Sequence, residues 1–163
     1  AVETRIRLLT LEGEWLEKEG RILREQQQHH HTATSASGGA KHPAKSYDGA
    51  LASLEEAAEI GDGVVTDGEM TSSLSSSPAG IVGAAGEAML KLAKLCETLA
   101  TSADGILEGA GWGVIRGREK LAALSVKRYL SAMAAGSADA RDRFPRVLFL
   151  VGEFSKAREA FAE

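Results

Sequence analysis

Aromatic residues are scarce in this sequence: two Trp, two Tyr and four Phe make up 5% of its 163 residues. A β-sandwich draws its core from β-branched and aromatic side chains, so the shortage argues against one. Cysteine is nearly absent. Cys96 alone excludes an internal disulfide and any structural zinc site built on several thiolates. Such usage fits a reducing, intracellular setting, nuclear or cytoplasmic. No apolar run reaches the roughly 20 residues that a membrane-spanning helix needs, and no signal-peptide pattern opens the chain, so no membrane partner is expected. The first residue is Ala1, not Met, which fits a processed product or a piece of something larger. Positive charge is not in excess either. With 19 Lys and Arg against 23 Asp and Glu, the net charge is −4, so a strongly basic nucleic-acid-binding domain is excluded and direct nucleic-acid contact is not expected. No H-E-x-x-H, G-x-S-x-G, C-x-x-C or kinase catalytic-loop pattern occurs, and no catalytic, cofactor-binding or metal-binding residue is assigned.

What the chain has instead is alanine, glycine and helical periodicity. Residues 1–28 read as a helix, with Ile6, Leu9, Leu16 and Leu23 on one stripe that Leu11 and Trp15 extend. Gly13 and Gly20 weaken it by up to about 1 kcal/mol each relative to Ala, while Glu14–Lys18 and Glu17–Arg21 form favourable i,i+4 pairs. Residues 29–45, rich in Gln, His, Ser, Thr and Gly, read as a flexible linker. A shorter helix follows over 46–60, capped by Ser46, lined by Leu51, Leu54, Ala58 and Ile60, and ended by Gly61. Residues 61–78 are a low-complexity loop. From Ala79 to about Ala103, Ile81, Ala85, Ala88, Met89, Leu92, Leu95, Cys96 and Leu99 trace one helical face. After a glycine-rich loop, residues 118–135 turn Leu121, Leu124, Tyr129, Leu130 and Met133 inward, and Gly136 closes them. Ser137 caps a last helix carrying Phe144, Val147, Leu148 and Val151, in which Pro145 removes one hydrogen bond and favours a kink. The expected fold is all-α, made of antiparallel helix pairs with long polar loops.

Charge is unevenly spread. Ser46–Leu90 holds eight acids and no Lys or Arg, whereas Lys91–Glu163 holds 12 bases and nine acids. Solvated helix faces explain the acidic middle most simply. A patch that docks on a basic protein partner, through Glu55, Glu56 and Glu59, is the sharper alternative. The run His29-His30-His31 with His42 reads as polar linker, since adjacent histidines on a flexible strand do not converge on one ion. Gly109–Gly117 fails the G-x-G-x-x-G spacing, because Val114 and Arg116 stand where the third glycine belongs. Cys96 falls on a core stripe and reads as an inert thiol. Arg141, Arg143 and Arg146, with Lys127 and Arg128, line a basic edge that salt bridges to Asp139, Asp142 and Glu153 explain more simply. Thr71–Ser77 is open to phosphorylation with no serine singled out.

The wording of the last helices carries a resemblance. Leu92-Ala93-Lys94-Leu95-Cys96-Glu97 resembles the LA-x-F-C-D helix of the FAT region in phosphatidylinositol-3-kinase-related protein kinases, with Leu95 in place of the aromatic and Glu97 in place of Asp. Val126–Met133 and Ser137–Val151, which includes Ala140-Arg141-Asp142-Arg143-Phe144-Pro145-Arg146, resemble that family's V-x-x-x-L-x-A-M and S-x-x-A-R-x-x-F-P-R-L-L-x-L-V runs. The similarity covers about residues 88–154. It implies an α-solenoid of HEAT/TPR type, residues 79–163 forming a helical-repeat segment that supports a serine/threonine kinase domain elsewhere in a larger chain. No catalytic residue is implied here and no cofactor. The expected partners are proteins and the rest of that chain, and Val147–Val151 with Phe154 and Phe161 would want another helix to pack on. The alternatives are a stand-alone adaptor using the acidic middle, and a small enzyme whose site the sequence does not reveal.

Overall fold

The computed structural model describes residues 1–29, 42–66, 78–101 and 118–150. Among these the chain is all-α, with no strand. The helices are α1 (Val2–His29), α2 (Pro43–Thr66), α3 (Pro78–Thr101), α4 (Arg118–Ala134) and α5 (Ala138–Leu150). The glycine-rich loop 109–117, the serine loop Thr71–Ser77, most of the 29–45 linker, and Val151, Phe154 and Phe161 lie outside the described residues.

Each helix packs on the next, and α3 is the hub, touching all four others. Its composition explains why. All eight residues of its expected stripe are buried, and Ala84 and Ala93 are buried beside them, so most of its circumference is apolar and must be covered. α1 and α2 run antiparallel, since Arg5 meets Glu56, Gly13 meets Leu54 and Glu19 meets Ser46. α3 and α4 do the same, with Gly86 beside Ala135 and Ser125 Oγ donating 3.0 Å to the Ala93 carbonyl.

Two helix boundaries differ from expectation. α2 starts earlier, because His42 caps it: Nδ1 of His42 accepts from the Ala44 N–H at 3.1 Å, and Pro43 takes the first helical position, where its missing N–H costs nothing. Ser46 is therefore no cap but a buried helical residue, donating 2.8 Å to Glu19. α2 also runs through Gly61 to Thr66, so the start of the 61–78 loop is helical. Gly61 is there because α3 comes too close for a side chain, and a Cβ would land on that of Ala85. Gly13 likewise admits the Leu54 side chain, 2.6 Å from where its Cβ would stand. These glycines mark close approach of helices, not weak points. Gly136, by contrast, ends α4 as expected. It adopts φ 92°, its N–H donates to Met133 and that of Ser137 to Ala132 (2.9 and 3.0 Å), and Ser137 Oγ accepts from Ala140 to cap α5. Pro145 sits inside α5 without ending it.

Candidate protein-docking surface

Among the described residues of the C-terminal half, two of the five bases expected along a basic edge are paired with carboxylates of other helices. Arg128 is buried against Asp62 of α2 (Nη1–Oδ2 2.5 Å), and Arg143 reaches Glu97 of α3 at 3.4 Å. Glu97 also accepts 2.6 Å from the Tyr129 hydroxyl inside the core. Burial, then the hydrogen bond and charge of Glu97, push the Tyr129 phenol well above its ordinary pKa. Salt bridges thus explain Arg128 and Arg143, but with Asp62 and Glu97 in place of the expected acids. Asp139 pairs with Lys94 at 3.5 Å, and Glu153 lies outside the described residues. Only Lys127, Arg141 and Arg146 of the edge are exposed.

The candidate chemical groups do not assemble. Cys96 is fully buried on α3. His29 ends α1 while His42 caps α2, His30 and His31 lie outside the described residues, and among the described residues no cluster of His, Cys, Asp or Glu could hold a metal ion. A groove of about 360 Å³ lies between Gly83, Gly86 and Leu90 of α3 and the Gly136–Asp139 turn. Its carboxylates, Glu87 and Asp139, are each bonded to a lysine, Lys91 and Lys94.

The outer face of α1 is different. Ile6, Gly13 and Gly20 are buried and Leu9, Leu16 and Leu23 half-buried, which makes the inner stripe at alternating spacings of three and four. Leu11 and Trp15 do not extend it. At 100° per residue they fall on the opposite side with Leu8 and Ile22, and these four are 45–62% exposed. The outer stripe runs over four turns, about 21 Å. It was legible from the spacings of three and seven linking residues 8, 11, 15 and 22, once two stripes instead of one are sought.

Its two edges are unlike. Toward α3, Arg7 bonds Glu3 (2.9 Å) and Lys91 bonds Glu14 (2.5 Å) and Glu87 (2.7 Å). Glu14 thus pairs across to α3 and not with Lys18. Burial works against the Lys91 charge, but both carboxylates more than offset it and its pKa is raised. A groove of about 130 Å³ opens here between Leu11, Thr10 and Ala84. Toward α2, Arg5 is bonded to Glu56 (2.6 Å), and Glu12, two turns further along the same side of α1, is exposed. No family model, curated protein or solved structure matches the chain.

Proposed function

We propose that this chain is a helical scaffold segment that works by packing its helix faces against other protein, as part of a large serine/threonine kinase of the phosphatidylinositol-3-kinase-related family. One observation carries the scaffold reading: α1 is apolar on two opposite sides, and only the inner one is covered. An isolated domain gains nothing by exposing Leu8, Leu11, Trp15 and Ile22 together, whereas a unit in a stack of helices needs a second apolar side for its neighbour. The order of packing, each helix against the next in the chain, supports the solenoid form of this reading.

The link to the kinase family rests on the sequence resemblance. Its residues fall on α3, α4 and α5, where Leu92, Leu95 and Cys96 are core and Ser137 is a helix cap. Phosphotransfer would belong to another part of that chain. The test is the mass of the endogenous protein containing the Phe144–Lys156 peptide, sized in native lysate. A species of several hundred kilodaltons is expected; one near 17.1 kDa would overturn the kinase-segment reading.

A further inference from the structure

We propose that the outer face of α1 and the adjoining edge of α2 bind an amphipathic helix that carries Lys or Arg along one edge. This rests on reading the exposed stripe as a docking face and adds the chemistry of its occupant. The stripe from Leu8 to Ile22 has the length of about four helical turns, so one helix laid along it would cover all four side chains. Lys18 lies in line between Trp15 and Ile22, and its stem can follow the apolar seam while the ammonium reaches outward.

The edges select the partner. On the α3 side Arg7 and Lys91 are already matched to carboxylates of this chain. On the α2 side Glu12 and Glu56 are exposed, Arg5 is paired with Glu56, and α2 carries no Lys or Arg from Ser46 to Thr66, so that edge is net negative. A partner helix with bases on that side gains attraction, and one with acids there is repelled. A second copy laid antiparallel across a two-fold axis fits poorly, because its own net-negative edge would lie along this one. An anionic lipid surface is disfavoured by the same charges.

The test uses two labelled synthetic helices of about 21 residues with the same leucine stripe, one edged with Lys and the other with Glu, titrated with the 163-residue chain. The Lys-edged helix is expected to bind at least about tenfold tighter, and to weaken between about 50 and about 500 mM salt. W15S should cost about thirtyfold in affinity, and the double change E12K/E56K should reverse the preference between the two helices. All three positions are at the surface, so a melting temperature within a few degrees of the parent's verifies folding. Equal, salt-independent binding of both helices would overturn the basic-edge assignment and leave the docking face standing. Binding of neither would remove the docking face as well. Dimerisation of the chain that W15S abolishes would give the face to a second copy and overturn the proposal.

Discussion

Where α1 meets α2, small residues set the approach and, Glu19 on buried Ser46 apart, the charges stay outside. Gly13 seats Leu54, Ala50 and Ala57 are fully buried, and the Arg5–Glu56 pair lies in solvent. Where α3 meets α4 and α5, the charges are inside. Glu97 is 7% exposed and holds both Tyr129 and Arg143, and Arg128 is buried against Asp62. The first contact is specified by shape, since only helices with notches at those heights can approach so closely. The second is specified by partners, because a buried carboxylate without its donors costs far more than the bonds contribute when made. α1 and α2 should therefore tolerate changes of charge and resist added atoms, while the α3–α4–α5 junction should do the reverse.

The most damaging way to break this contrast is Glu97→Ala. It removes the shared acceptor of Tyr129 and Arg143, and Arg143 Nε is already buried without a partner. A loss of about 3 kcal/mol is expected, seen as a melting temperature about 10 °C lower. Charge reversal at Glu56 in the α1–α2 pair, both of whose side chains are about half exposed, should cost under about 1 kcal/mol. Equal losses at the two sites would erase the distinction.

A sharper form uses two glycines of α2. Gly61→Ala adds a methyl group where Ala85 already stands, and about 2 kcal/mol of destabilisation is expected. Gly63→Ala, two residues on, meets nothing within 4 Å and should stabilise the helix by up to about 1 kcal/mol. Opposite signs from the same substitution in one helix, measured by urea unfolding, would show that shape and not propensity decides here. A gain at both positions would sink that claim.

These glycines also mark where sequence reading succeeds and fails. Gly61 and Gly136 look alike as helix stops, but only Gly136 is one. Ser137 follows it at once and caps α5, whereas Asp62, which follows Gly61 and could cap equally well, stays inside α2 and reaches Arg128. The stripe of α3 was fully legible because a helix covered on most sides puts every apolar residue inward. In α4, Leu121 and Tyr129 are buried as expected but Leu130 is 48% exposed, since its neighbour Tyr129 takes the core position and the next residue turns away by 100°. α1 misled for the opposite reason. Only one of its two apolar stripes is core, and periodicity does not say which faces in. Glu97–Tyr129 joins residues 32 apart on separate helices, a pairing set by packing and not by any local pattern.

The finest test of the contrast is Tyr129→Phe, which leaves shape intact and removes a single donor. Near neutral pH the loss of the 2.6 Å bond to Glu97 should cost about 1.5 kcal/mol. Alkali should then shrink the difference. Burial and the Glu97 carboxylate raise the phenol of folded Tyr129 well above the ordinary value of 10.0. The folded state therefore keeps its proton where the unfolded chain releases it. The tyrosine's contribution is fully present below pH 10 and is lost as pH climbs through that value toward the folded one, whereas phenylalanine has no proton to lose. Differences between the two proteins cancel the titration of lysines and of Tyr47, so the gap, followed by chemical unfolding from about pH 8 to about pH 11, should stay flat and then narrow. A gap that stays constant across the range would mean that Tyr129 titrates as if exposed, and that the α3–α4 contact is held by shape after all.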